Sequence, residues 1–85
     1  MKTFMTRYLE EYFDAEYNLL RTLLKDKPAW VDVNDVCDNA LQRGLGASQL
    51  AQSCDNGLSF EDAQLLYWKF YKEIENLRVV SQLSW

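Results

Sequence analysis

The chain has 85 residues, 48% of them hydrophobic, and its 9 basic and 13 acidic residues leave a net charge of −4. That length bounds a single domain, residues 1–85, with a small core, and that hydrophobic share excludes global disorder. The acidic balance argues against nucleic acid or an anionic membrane as a direct partner, since both need a basic face, and it suits a partner protein with a basic surface.

The first predicted helix runs from about Thr3 to Lys25. Phe4, Tyr8, Tyr12, Leu19 and Leu23 form one inward row and Met5, Leu9, Phe13, Leu20 and Leu24 the next, with Arg7, Glu10, Glu11, Asp14, Asn18 and Arg21 on the far side. Glu16 falls near the middle of this apolar face. A buried carboxylate without a partner is costly, so Glu16 is expected to bond to Tyr67, Tyr71, Arg43 or Arg78 inside the chain, the alternative being a ligand or partner contact. Lys25-Asp26-Lys27-Pro28 is a stop signal, with lysines in the last turn and proline just beyond. Trp30, in the connector that follows, is expected to plug the end of the core, the alternative being an exposed anchor of the kind that dominates interfaces.

A second helix is expected from about Asn34 to Arg43, capped by Asp32 or Asn34, with Val33, Val36, Cys37, Ala40 and Leu41 inward. Asp32, Asp35 and Asp38 stand at three-residue steps near its start. Complementing the helix dipole explains them, and a sharper reading makes them an acidic ridge for a basic partner. Arg43-Gly44 reads as a C-terminal cap. A short third helix is then expected over Ala47 to Cys54, inward at Leu50, Ala51 and Cys54.

The strongest helical pattern covers Ala63 to Leu77, within a long helix from about 59 to 78. Ser59 and Asp62 resemble a capping box after the turn residues Asp55-Asn56-Gly57. Ala63, Leu66, Tyr67, Phe70, Ile74 and Leu77 share one stripe at about 100° per residue. Leu65 and Trp68 lie off it, so they are either covered by further protein or exposed. The closing Val79, Val80, Leu83 and Trp85 form an apolar tail that either folds back or mediates association.

Histidine is absent. That removes Ser-His-Asp and Cys-His nucleophiles, Cys/His zinc sites and the Glu-x-x-His di-iron signature. Cys37 and Cys54 form neither a CxxC pair nor a disulfide framework. Both fall on apolar helical positions, so buried, reduced thiols and a cytoplasmic address are expected. No signal peptide is expected, because Arg7, Glu10 and Glu11 interrupt the start, and no stretch reaches membrane-spanning length. Aligning Gly57 with the required glycine of a calcium loop puts Cys54 and Ala63 at ligand positions, which rejects that motif.

These readings converge on an all-α, compact bundle of about four helices: two long ones (about 3–25 and 59–78) with two short ones between them. The expected function is a small non-enzymatic protein-binding module, a regulator or inhibitor acting through Leu65, Trp68, Trp85 and Trp30, without cofactor or metal. A self-associating helical subunit, a homodimer for instance, is the alternative. A weaker one is an acidic decoy of a nucleic-acid-binding site that uses Asp32, Asp35 and Asp38.

Overall fold

The computed structural model describes residues 4–26, 29–54 and 57–83. These residues are all-α and form three helices, α1 (Phe4–Lys25), α2 (Val33–Ser53) and α3 (Phe60–Leu83), rather than the four expected. Each helix packs on both others. The cross-links show that α2 and α3 run antiparallel. Glu16 of α1 meets Arg43 of α2, and Asn34 and Asp38 near the start of α2 meet Arg78 near the end of α3.

In α1, Leu9, Phe13, Leu20 and Leu24 are buried, and Lys25 ends the helix as the stop signal implies. Lys27 and Pro28 lie outside the described residues. Leu19 and Phe4, expected inward, are exposed instead. The face that carries them is wider than the two helices packed on it, and they sit at its rim.

Asp32 starts α2 as its N-cap, and its Oδ1 accepts from the amides of Asn34 at 2.8 Å and Asp35 at 3.3 Å. The helix then passes through Gly44 and Gly46 without stopping. Gly44 is no C-terminal cap. It is buried where α2 crosses the core, and a Cβ there would lie 2.6 Å from Cε2 of Phe70 and 3.2 Å from Cε1 of Phe13. Those two rings stack with centroids 4.5 Å apart. The glycine is where α2 presses its backbone onto that stack.

An unbroken helix also fixes the phase of its second half. Ala47, Ser48 and Ala51 point into the core, and Leu50 and Cys54, both expected inward, are turned out to solvent. Cys37 is fully buried, and that burial pushes its thiol pKa up. A thiol reagent should therefore modify Cys54 in the folded protein and Cys37 only at the rate of unfolding, as mass spectrometry of a labelling time course would show. Equal rates would contradict the burial of Cys37.

The turn into α3 is tight. The Gly57 amide donates to the Cys54 carbonyl at 2.9 Å and the Leu58 amide to the Ala51 carbonyl at 3.0 Å. A Cβ on Gly57 would strike those same two carbonyl oxygens. Ser59 then caps α3 as expected, its Oγ accepting from the Asp62 amide at 3.2 Å. Ala63, Phe70, Ile74 and Ser81 are the buried positions of α3, which continues past the expected end at 78 to Leu83. Among the described residues no helix is long and apolar enough to cross a membrane.

Candidate interaction surface

Extension of α3 to Leu83 changes the meaning of its outer side. Leu65, Trp68, Lys72, Glu75, Val79 and Leu83 follow one another at three- and four-residue steps. At about 100° per residue they form a second stripe, turned away from the buried one. Leu65, Val79 and Leu83 are well exposed, and Trp68 keeps 47% of its surface in solvent. The stripe is apolar at both ends and charged in the middle.

Trp68 is held from one side. Its indole meets the Tyr71 ring edge-on at 5.3 Å, Tyr71 lies 6.4 Å from Tyr67, and Tyr67 packs edge-on to Phe13 in the core. Burial, with the neighbouring Tyr71 phenol second, raises the Tyr67 pKa. A chain of rings thus runs from the centre of the bundle to its surface. An aromatic side chain positioned before binding loses little conformational freedom on binding, which favours it as an anchor.

Trp30 does not plug the core. It is 82% exposed in the α1–α2 connector and, with Ala29, Val31, Asn34 and Gln82, lines an open cleft at one end of the bundle. Trp68 and Gln82 are separated by fourteen helical residues, about 21 Å along the axis, so Trp30 and Trp68 do not form one patch. Trp85 lies outside the described residues.

The chain matches no protein-family model, no curated protein and no solved structure.

Two of the three aspartates of the supposed acidic ridge are engaged within the chain. Asp32 caps α2, and Asp38 accepts from Nη2 of Arg78 at 2.7 Å, the contact that chiefly raises the Arg78 pKa. Asp35 sits exposed in the first turn, where it complements the helix dipole.

Glu16 has the internal partner expected of it. Its two oxygens accept from Nε and Nη2 of Arg43, each at 3.0 Å, in a bidentate pair across α1 and α2. The pair raises the Arg43 pKa, chiefly through the hydrogen bond. The Tyr12 phenol beside it is also raised, by burial first and then by the charge of Glu16 and a hydrogen bond to it. Leu19, Leu23 and Val36 flank the ion pair in a shallow groove. The arrangement joins two helices and leaves no carboxylate oxygen of Glu16 without a donor.

The residues missed in the sequence are Lys72 and Glu75 as members of the stripe, together with the continuity of Val79 and Leu83 with Leu65 and Trp68. The signal was the same periodicity carried two turns past Leu77.

Proposed function

We propose that the protein is a small non-enzymatic protein-binding module, a regulator or inhibitor of another protein, that docks through the outer face of α3. The observation that carries this reading is the line of exposed apolar side chains from Leu65 to Leu83 around a braced, half-exposed Trp68. A surface helix normally shows solvent a polar face, and exposed apolar clusters at both ends of one stripe, with a charged middle, mark an interaction site. The self-associating alternative uses the same face. The acidic-decoy reading is the poorer fit, because Asp32 and Asp38 already serve as cap and ion-pair partner. A cytoplasmic address is part of the proposal.

Trp68→Glu tests it. The variant should keep its helical circular dichroism and lose binding by the equivalent of about 2 kcal/mol or more, as expected for a central aromatic anchor. Capture from extract of the source cells, with wild type and variant side by side, gives the comparison. Loss of helicity would place Trp68 among the structural residues, and unchanged capture would remove this face from the function.

A further inference from the structure

The outer stripe of α3 is complementary to itself when reversed. We infer that it docks antiparallel on the same stripe of a second copy of this chain, about a two-fold axis level with Glu73 and Ile74. This rests on the reading of the face as protein-binding and takes the self-associating alternative for its occupant.

In sequence order the stripe reads apolar, apolar, positive, negative, apolar, apolar: Leu65, Trp68, Lys72, Glu75, Val79, Leu83. Laid against its own reverse, Leu65 comes opposite Leu83, Trp68 opposite Val79, and Lys72 opposite Glu75. A two-fold axis makes each of these pairings twice. A parallel arrangement would instead set Lys72 on Lys72 and Glu75 on Glu75, which like-charge repulsion disfavours. The three- and four-residue steps are those of a helix–helix seam, where the side chains of one helix enter the gaps of the other.

Glu75 can serve this pairing without loosening the bundle. It accepts from Nη2 of Arg78 at 3.1 Å, and its side chain is partly exposed. Arg78 keeps Asp38 at 2.7 Å and Asn34 at 2.9 Å when Glu75 turns to Lys72 of the second copy. From Leu65 to Leu83 the seam is about 27 Å long. Stable interfaces bury about 800 Å² on each side, and a single helical seam of this length lies at the low end, so micromolar association is expected.

Sedimentation equilibrium of the full chain, from low to several hundred micromolar, tests the proposal. The apparent mass should rise from 10.0 kDa toward twice that value. Lys72→Glu and Glu75→Lys should each weaken self-association by about tenfold or more, because each turns two attractive contacts repulsive. An equimolar mixture of the two variants should associate again, since every reversed charge then meets an opposite one. Circular dichroism confirms that both are folded, and Trp68→Glu serves as a third variant should Glu75→Lys not be.

A wild type that stays monomeric throughout, or a Lys72→Glu variant that associates as well as wild type, overturns the inference. Should a monomeric wild type still capture a partner in a Trp68-dependent way, the second copy is excluded while the protein-binding reading stands. A monomer with no Trp68-dependent capture removes both.

Discussion

Replacing Gly44 with valine should lower the stability of the fold by about 3 kcal/mol, the upper end of the cost of overpacking a well-filled core. Replacing Gly46 with alanine should raise it by about 1 kcal/mol, the ordinary gain for glycine to alanine inside a helix. The two glycines are two residues apart in one helix and differ in what faces them. A Cβ on Gly44 would meet the Phe70 ring at 2.6 Å, whereas one on Gly46 would meet nothing within 4 Å. Phe70 cannot turn aside cheaply, being 1% exposed and stacked on Phe13. Urea denaturation reads both effects as shifts in midpoint at unchanged slope. Gly44→Ala combined with Phe70→Leu should lose less than the sum of the single changes, because the smaller side chain makes room for the methyl group. A Gly44→Ala variant as stable as Gly46→Ala would show that the rings yield and that glycine does not set the approach of α2 to α3.

The second large effect is an asymmetry across the Glu16–Arg43 pair. The Glu16 side chain is 13% exposed and that of Arg43 is 53% exposed. Arg43→Ala leaves a mostly buried carboxylate with only the Tyr12 phenol beside it and should cost about 2–3 kcal/mol. Glu16→Gln leaves a guanidinium that water can reach and an amide oxygen that still accepts, so it should cost about 1 kcal/mol. Thermal or urea unfolding of the two variants provides the check, and equal costs would mean that Glu16 finds solvent or another donor. The same pair acts on Tyr12. Burial first, and Glu16 second, hold its folded pKa above the ordinary phenol value, so this contribution to stability is complete below that value and is lost as pH rises through the folded one. Glu16→Gln should bring the Tyr12 titration, followed by ultraviolet absorbance, back toward the ordinary range.

The sequence made α1 and α3 legible because their buried stripes are long and bounded by chemical signals, Lys25 at the end of α1 and Ser59 at the start of α3. The internal bond of Glu16 was legible for a related reason: a carboxylate at an apolar angle must find a donor. What misled was Gly44. Glycine after arginine has the pattern of a helix end, and local chemistry carries no sign that two aromatic rings from other helices need its missing side chain. Splitting α2 there released the phase of its second half, so Leu50 and Cys54 were assigned inward, whereas the continuous helix turns them out. A large apolar ring in a connector reads as a plug on size alone, and nothing local shows that Trp30 instead stands at the mouth of an open cleft. The outer stripe of α3 was half visible in Leu65 and Trp68. Its other half is hidden because Val79, Val80, Leu83 and Trp85 read as an apolar tail, although α3 runs on to Leu83.

The far end of α3 is fastened differently from its middle. At Phe70 and Ile74 the helix is gripped by the core, but past Ile74 Ser81 is the one buried residue among those described, with Leu77 and Arg78 half-buried beside it. What holds the remainder is a polar clasp on the start of α2, where Asn34 Oδ1 accepts from Nη1 of Arg78 at 2.9 Å and from Nε2 of Gln82 at 3.1 Å. Asp38 adds a third bond at 2.7 Å, but a few polar bonds hold a helix end less firmly than a packed core does. The last two turns should open and close many times before the whole chain unfolds. Their amide protons should exchange with deuterium by this local fraying, and those around Phe70 only by global unfolding.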